Sequence, residues 1–263
     1  MKPIYGILLG AACATGLLSP LRAETPATPT PAPAAKAAPA AIAPAALDIL
    51  KGMSDTLAKA KSMSFNVRRA FDEPAANGQP LFYMVSTNVS LQRPDKLKVV
   101  ALGDGPPSEF YYDGKEFAVY LPASNMIAVE SAPANLDEML EAAFNKAGLY
   151  FPFVDFIVAD PYAAVTEKLT SAFVMGQSNV VGGTTTDIVA IANPDYQAQL
   201  WIGAKDKLPR LIWVTPTNGK SRSMIEFANW RLNAGGLKFA RAPGAAKAGH
   251  IKFGKPGETA SAK

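Results

Sequence analysis

The chain contains 263 residues, and its 26 Lys and Arg against 22 Asp and Glu give a formal net charge of +4. This small, scattered charge does not indicate a protein that binds nucleic acid. Hydrophobic residues make up 49% of the chain, so it is able to build a large core.

The first 23 residues have the layout of a secretory signal peptide. Lys2 gives a basic start, residues 4–18 form an apolar run, and Ala23 is a small residue after which we expect cleavage. The apolar run is too short to cross a membrane as a helix, which takes about 20 apolar residues. The sequence therefore predicts an exported protein.

The single cysteine, Cys13, lies inside this leader. A lipoprotein anchor through Cys13 is the alternative to a cleaved signal peptide. However, Gly10 stands where such anchors normally have leucine, and the apolar run continues past the cysteine. We therefore interpret Cys13 as part of a discarded leader, which leaves a mature chain without a disulfide.

Residues 24–43 consist mainly of Pro, Ala and Thr. This composition buries too little apolar surface to fold, and it predicts a disordered linker. From Pro44 onward, apolar residues recur at steps of three and four while charged residues occupy the other side, which predicts an amphipathic helix that begins near Pro44. Its apolar stripe consists of Leu47, Leu50, Met53, Leu57 and Ala60.

Residues 81–122 are the clearest run of strands in the sequence. Every second residue from Leu81 onward belongs to a drier face, which is the period of a strand. Arg93-Pro94 ends this strand, because proline has no amide hydrogen to donate. Asp113-Gly114 predicts a tight turn between later strands, and Asn77-Gly78 predicts a turn before the run.

A second helix is predicted between Asn135, which suits its cap, and Gly148, which suits its end. It is followed by the most apolar stretch of the mature chain, residues 149–158. The aromatic residues of this stretch are Tyr150, Phe151, Phe153 and Phe156. Two interpretations stay open: a short core helix that plugs the sheet, and a lid or wall of an apolar cavity.

The last third of the chain returns to strands, with Gly182-Gly183 and Asn218-Gly219 at the expected hairpin turns. Three of these strands carry a tryptophan, namely Trp201, Trp213 and Trp230. One sheet face is therefore predicted to be aromatic. Many strands with only two helices favour one continuous, curved antiparallel sheet that helices fill, over an alternating βαβ fold. We place this domain at residues 44–253 and expect residues 254–263 to be a disordered tail.

The sequence contains no recognisable catalytic set. Its single histidine, His250, lies in a Gly-, Lys- and Ala-rich segment that gives it no fixed position, which argues against triads and histidine metal sites. No phosphate loop or dinucleotide fingerprint occurs. Asp104 and Asp113 precede glycines and are interpreted as turn formers, and Asp155 as part of a helix face or cap; a hydrolase that uses Asp113 or Asp155 is the weaker alternative. We therefore predict a non-enzyme with no catalytic residue, no metal and no cofactor.

Arg93 is the charged residue whose position points to a specific role. An arginine beside a proline at a strand end is commonly a solvated guard of the sheet edge. The alternative is that its guanidinium reaches into the concave face and hydrogen-bonds a carbonyl of a helix or loop. In that arrangement it closes a cavity until a ligand competes.

The order of these features resembles the periplasmic lipoprotein-carrier superfamily, the LolA/LolB-like proteins. The features are the leading amphipathic helix, Phe65 in the first strand, LQRPD at residues 91–95, YDGK at residues 112–115 and YLP at residues 120–122. Over about residues 45–253 the chain is most similar to a family of predicted periplasmic proteins of unknown function with that fold.

The resemblance implies an α+β fold with a highly curved antiparallel sheet, an unclosed β-barrel. Helices cover or plug its concave face, above a hydrophobic cavity that takes acyl chains. In the carriers, the arginine of the Arg-Pro motif bonds to the lid and holds it shut, and that position is Arg93 here. One carrier branch has a bulky aromatic residue four positions further on, where this chain has Leu97.

The sequence supports two functional hypotheses. The first is an exported, non-enzymatic carrier that binds a lipid or an acylated protein, with Arg93 as the lid latch. Its cavity is predicted to be lined by Tyr83, Leu97, Phe151, Phe153, Phe156 and Trp201. The second is an envelope scaffold or assembly partner with a filled core, which binds another envelope protein. In either case we expect a monomer that does not bind nucleic acid.

Overall fold

The computed structural model describes residues 42–218 and 222–254. The described part of the chain has three α-helices: α1 (Pro44–Ala58), α2 (Leu136–Ala147) and α3 (Pro161–Thr166). The same residues form twelve strands: β1 (Ser62–Pro74), β2 (Pro80–Gln92), β3 (Lys96–Gly103), β4 (Ser108–Tyr112), β5 (Glu116–Leu121), β6 (Met126–Ser131), β7 (Ser171–Ser178), β8 (Thr186–Ala192), β9 (Tyr196–Gly203), β10 (Pro209–Pro216), β11 (Ser223–Leu232) and β12 (Gly249–Ile251). None of the described helices is long and apolar enough to span a membrane.

Several of the sequence predictions concern the two ends of the chain. The signal peptide with Cys13, the linker up to residue 41 and the tail from residue 255 lie outside the described residues. The first described helix begins at Pro44, as its apolar spacing predicts. Proline suits the start of a helix because its missing amide hydrogen has no helical partner there.

All of the described strands belong to one sheet, in the order β12-β6-β5-β4-β3-β2-β1-β11-β10-β9-β8-β7. Strands β1–β6 and strands β7–β11 are two antiparallel meanders, and the pairing of β1 with β11 joins them. The two edges are β12 and β7, which do not pair with each other, so the sheet is curved but open. This confirms the predicted α+β fold with an unclosed sheet.

The sheet is mixed, whereas the sequence predicts a wholly antiparallel one. Its last strand, β12, runs parallel to β6, with Gly249 opposite Met126. The chain reaches this edge after a connection over residues 233–248, and a connection of this length allows strands to run parallel. Beyond β12, Phe253 packs against Phe117 of β5 with ring centroids 5.4 Å apart, so the chain keeps contact with the sheet past its last strand.

Helices α1 and α2 cover the concave face because each has one apolar side. Leu50, Met53 and Leu57 of α1 are completely buried, and their spacing of three and four puts them on one side of the helix. On α2, Met139 and Ala143 are completely buried in the same core. The main core therefore lies between these helices and the inward residues of the strands.

Both predicted ends of α2 are confirmed. The side chain of Asn135 accepts a hydrogen bond from the Glu138 N–H at 2.9 Å, which satisfies one of the free amide groups of the first turn. Gly148 ends the helix with φ of 65°, a left-handed conformation that glycine adopts without steric cost. The chain then turns back over the concave face.

Apolar periodicity does not predict the short helix α3, because its 6 residues are too few to show a repeat. Its start nevertheless carries a local signal. Pro161 is the first helical residue, and the Asp160 side chain accepts a hydrogen bond from the Ala163 N–H at 2.9 Å. Helix α3 fixes the far end of the segment that follows α2.

Candidate functional site

The segment between α2 and α3 crosses the concave face, and we call residues 149–158 the cover segment. Phe153 and Phe156 on it are 1% and 3% exposed. They contact the strand residues Phe65 and Phe227, with ring centroids 5.6 and 5.4 Å apart. The middle of the concave face is therefore filled by aromatic side chains from the cover segment.

On one side of this aromatic plug lies a cavity of about 270 Å³, which we call the main cavity. It is enclosed by the first half of the cover segment and strands β1–β5. Its walls are mostly apolar, and among the described residues that line it Arg69 is the charged one. The lining residues are Arg69, Phe71, Val85, Thr87, Val99, Ala101, Ser108, Phe110, Val119, Leu149, Tyr150, Phe151, Pro152 and Phe153.

A side cavity of about 120 Å³ lies on the other side of Tyr150 and Pro152, which line both cavities. Its walls come from the cover segment, α3 and strands β8–β11, and Asp155 is its charged lining residue. The cover segment thus separates two mainly apolar spaces, one over each half of the sheet.

The structure brings three of the predicted lining residues to these cavities. Phe151 and Phe153 line the main cavity, and Phe156 lines the side cavity. Tyr83 lies beside the main cavity, where it stacks on the lining residue Phe71 with ring centroids 5.8 Å apart. These positions support the prediction of an aromatic wall, and ligand binding by these residues stays a prediction.

Two other predicted lining residues lie elsewhere. Leu97 is completely buried in the main core and belongs to the wall of neither cavity. Trp201 is on the outer face of the sheet, because its β9 neighbours Leu200 and Ile202 are in the core and successive side chains alternate between faces. The prediction that Leu97 and Trp201 line the cavity is therefore corrected.

The three tryptophans of the last strands do not share one face, contrary to the sequence prediction. Trp230 stacks on Phe65 with ring centroids 4.2 Å apart and belongs to the inner side, whereas Trp213 lies on the outer side. A β-bulge lies in the pairing of β1 with β11, between Ser64 and Asn66. It shifts the alternation of the β11 side chains between the two faces of the sheet, so that Trp230 points inward.

Arg93 lies directly after β2, and its side chain reaches the cover segment. Its Nη2 donates to the carbonyl oxygen of Val158 at 2.8 Å. The N–H of the next residue, Ala159, donates to both carboxylate oxygens of Asp137 on α2, at 3.1 and 3.0 Å. Arg93 and Asp137 therefore bind the two polar groups of one peptide unit. The carbonyl contact is one of the two alternatives for Arg93, and its role as a latch stays a prediction.

Burial sets the electrostatics of the Arg93 contact. It lowers the pKa of Arg93, while the nearby Asp137 carboxylate acts in the opposite direction. The Nε of Arg93 is also buried and finds no hydrogen-bond partner within the described part of the chain. A buried donor without a partner carries an energetic cost, so the Arg93 guanidinium is held in a position where its hydrogen bonding is incomplete.

Arg69 is a site residue that no sequence motif marks. Phe65 and Val67 belong to the buried face of β1, and Arg69 is the next member of the same face. The sequence signal for Arg69 is therefore a charged residue at a position of β1 where the alternation predicts an apolar one. Its Nε donates to the Ser223 Oγ at 3.0 Å, and its guanidinium carbon lies 4.2 Å from the centroid of the Phe71 ring.

Asp155 is the acid of the side cavity. Burial raises the pKa of its carboxyl group, and the nearby Glu167 carboxylate adds to the shift. Burial, and then the charge of Asp155, also raise the pKa of the Tyr196 hydroxyl, which lines the same cavity. The side cavity therefore disfavours negative charge.

Replacing Asp155 by asparagine is expected to stabilise the protein at neutral pH. A raised pKa means that the folded state binds the Asp155 proton more tightly than the unfolded chain does. The ionised carboxylate therefore destabilises the fold above its ordinary pKa of about 3.9. The gain from Asp155→Asn should be absent below that pH and should grow as the pH rises towards the raised pKa.

Thermal unfolding from about pH 3 to about pH 8, on either side of the ordinary carboxyl pKa, measures this effect. Asp48→Asn, a change at an exposed position of α1, is the matched control. If the gain from Asp155→Asn is the same at both ends of the range, its cause is not a buried charge.

Of the two carboxylates that precede glycines, Asp113 acts as a turn former, whereas Asp104 bonds to the neighbouring strand β2. Asp113 accepts hydrogen bonds from the N–H groups of Lys115 and Glu116 at 3.0 and 3.1 Å. Partial burial favours its neutral form, but these donors together with nearby positive charges outweigh the burial and lower its pKa. Asp104 accepts a hydrogen bond from the Met84 N–H at 2.6 Å. Across the described residues, no three metal-ligating side chains come together.

The sequence between residues 46 and 252 matches the model of a protein family described as "Predicted periplasmic protein (DUF2092)". No curated protein matches the sequence significantly. The matched range covers the helices and strands of the fold from α1 to β12.

Several solved structures resemble this chain. An uncharacterized conserved protein from Thermus thermophilus is 12% identical, with a TM-score of 0.47 over 79% of this chain and 99% of that one. The lipoprotein LppX from Mycobacterium tuberculosis is 15% identical, with a TM-score of 0.48 over 75% of this chain and 99% of LppX. A chain in the complex structure of Pseudomonas aeruginosa MucA/MucB is 15% identical, with a TM-score of 0.44 over 76% of this chain and 62% of that one. At these identities the likeness concerns the course of the backbone alone.

Proposed function

This chain belongs to the DUF2092 family of predicted periplasmic proteins, and we propose that it is a non-enzymatic protein that binds the acyl chain of a lipid or of an acylated protein. The observation that carries the proposal is the main cavity, a mostly apolar space of about 270 Å³ under the cover segment. The acyl chain lies between the cover segment and strands β1–β5 in this proposal.

The walls of the main cavity fit a hydrocarbon chain. Val85, Val99, Phe110 and Phe151 are among the lining residues, and their side chains select for apolar contact. Each methylene group that leaves water contributes about 0.8 kcal/mol. A chain that buries six methylene groups thus gains roughly 5 kcal/mol, before the cost of its ordering is subtracted.

The contact between Arg93 and Val158 supports a closure for this cavity. Within the described part of the chain, this hydrogen bond joins the cover segment to the end of strand β2. The neighbouring peptide N–H, on Ala159, is held by Asp137. We infer that release of this peptide unit lets the cover segment open and admits the acyl chain.

Replacing Arg93 by methionine is expected to open the cover segment locally. A hydrogen bond from a charged group contributes about 1.5–3 kcal/mol. Its loss should speed amide hydrogen exchange in the cover segment by roughly tenfold or more, while exchange in the paired strands β1 and β2 stays unchanged. Hydrogen exchange followed by mass spectrometry measures both regions.

The matched control for this variant is Arg68→Met, because Arg68 is exposed on the outer face with its Nε 2.9 Å from the Glu226 carboxylate. Asp137→Asn and Arg93→Met should combine non-additively, since both residues hold one peptide unit. If exchange of the cover segment is the same in Arg93→Met and in the wild type, Arg93 is not a latch.

Native mass spectrometry of the protein purified without detergent, followed by lipid extraction, tests the proposed function. We expect a co-purified acyl lipid. We also expect palmitate to raise the midpoint of thermal unfolding, because a ligand that binds only the folded state stabilises it. A folded protein that carries no lipid, and that gains no stability from fatty acids or lysophospholipids, is not an acyl-chain carrier.

A second candidate function, an envelope scaffold, is favoured by one observation at an edge of the sheet. Strand β7 is that edge, and Phe173, Val174 and Met175 on it are between 38% and 50% exposed. Such an edge suits the addition of an extended segment of another protein as a further strand. An envelope protein captured by the wild type but not by Met175→Lys, together with the absence of bound lipid, would favour the scaffold.

A further inference from the structure

Arg69 lies at the mouth of the main cavity. Along the inner face of β1, Phe65 and Val67 are buried, Arg69 and Phe71 are half-buried, and Glu73 is exposed. The guanidinium therefore lies where the apolar wall meets solvent. Among the described lining residues of the main cavity, it is the one that carries a charge.

The Arg69 side chain is held in place, but its charge is not matched by the protein. Its Nε donates to the Ser223 Oγ at 3.0 Å, and its guanidinium lies over the Phe71 ring. Within residues 42–218 and 222–254, no carboxylate lies within ion-pair distance of Arg69. The preceding residue differs, since Arg68 is exposed on the outer face and forms an ion pair with Glu226.

We propose that Arg69 binds the anionic head of the acyl ligand, a carboxylate or a phosphate, while the chain occupies the main cavity; this inference rests on the proposed function. A guanidinium donates two parallel hydrogen bonds to such a group. The apolar wall strengthens the contact, because a partly buried charge is less screened than one on an open surface. Ser223 and Phe71 orient the guanidinium in advance, so little side-chain entropy is lost on binding.

The groups around Arg69 are compatible with a bound anion. Tyr150 lines the same cavity, and Glu73 is exposed, so that water and salt screen its charge. Burial lowers the pKa of Arg69, and Tyr150 and Glu73 act against that shift, but a guanidinium stays protonated at neutral pH. The acid with a raised pKa, Asp155, lines the side cavity and not the main one.

Three ligands with the same hydrocarbon chain separate the role of the head from that of the chain: palmitate, hexadecyl phosphate and the uncharged hexadecanol. Titration calorimetry should show that the wild type binds at least one of the anions about tenfold or more tightly than hexadecanol. Arg69→Met should remove the preference for that anion, so that this variant binds the anion and hexadecanol with equal affinity. The comparison of palmitate with hexadecyl phosphate identifies the preferred head group.

Arg68→Met is the matched control, because it removes a neighbouring charge from the outer face and should change none of these affinities. Arg69→Lys keeps the charge without the paired donors and should retain part of the anion preference, which covers the case in which Arg69→Met does not fold. Equal binding of the anions and hexadecanol by the wild type, or an unchanged preference in folded Arg69→Met, overturns the inference. If none of the three ligands binds the wild type, the proposed function itself is overturned.

Discussion

Replacement of Phe153 by alanine is expected to lower the free energy of unfolding by about 3–5 kcal/mol. Phe153 is 1% exposed, and its ring packs edge-on against Phe65 with an interplanar angle of 87°. Because the ring also forms part of the wall of the main cavity, its removal enlarges a space that the surrounding side chains do not fill. The midpoint of thermal unfolding, followed by circular dichroism, should fall by roughly 6–20 °C.

The matched control is Phe82→Ala. Phe82 is 67% exposed on β2, and its truncation is expected to change the free energy of unfolding by less than about 0.5 kcal/mol. A loss below about 1 kcal/mol in Phe153→Ala would contradict an aromatic plug that stabilises the concave face.

Replacement of Ala101 by tryptophan is expected to weaken acyl binding without unfolding the protein. Ala101 is on β3, lines the main cavity and pairs with Thr87 and Ser108 of the neighbouring strands. An indole ring at this position occupies the cavity in place of the chain, and the two hydroxyl groups are acceptors for its N–H. The affinity for palmitate should fall at least about tenfold, which corresponds to about 1.4 kcal/mol.

Ala192→Trp makes the same change on the outer face of the sheet, where Ala192 lines a surface groove with Trp213. This control should bind palmitate as the wild type does. Fluorescence titration of both variants gives the comparison, and circular dichroism establishes that they are folded. Undiminished binding by Ala101→Trp would place the acyl chain outside the main cavity.

The parts of the fold that depend on neighbouring residues are predictable from the sequence. The Asn135 cap, the Gly148 helix end and the Asp113 turn each involve atoms within a few residues, and each is confirmed. The alternation along β2 is also confirmed, since Val89 and Leu91 are buried. Such features need no knowledge of the rest of the chain.

Features that depend on distant parts of the chain are not predictable in this way. The pairing of β1 with β11 joins residues as far apart as Met63 and Leu232, and neither strand carries a local signal for its partner. The face on which a tryptophan lies depends on the register of its strand, and one bulge is enough to separate Trp230 from Trp201.

The candidate site also combines features that neighbouring residues determine with features that depend on distant residues. The proline after Arg93 restricts the backbone and makes the strand end recognisable, but its partner Val158 lies 65 residues away. The inward position of Arg69 is not predictable from its residue type, because an arginine in a strand is usually on the polar face. It follows only from the alternation of β1, continued past Val67.

The central strand β1 pairs with β2 and β11, and during synthesis it lacks the second of these neighbours until nearly the whole sheet has been made. Strand β2 follows it directly, whereas β11 is the last long strand of the described chain. Ribosomes add about 5–20 residues per second, so one side of β1 stays unpaired for on the order of 10 s. A long strand with a free edge is open to incorrect pairing with other chains during that interval. The interval before β11 is added is therefore the period in which β1 is open to such pairing.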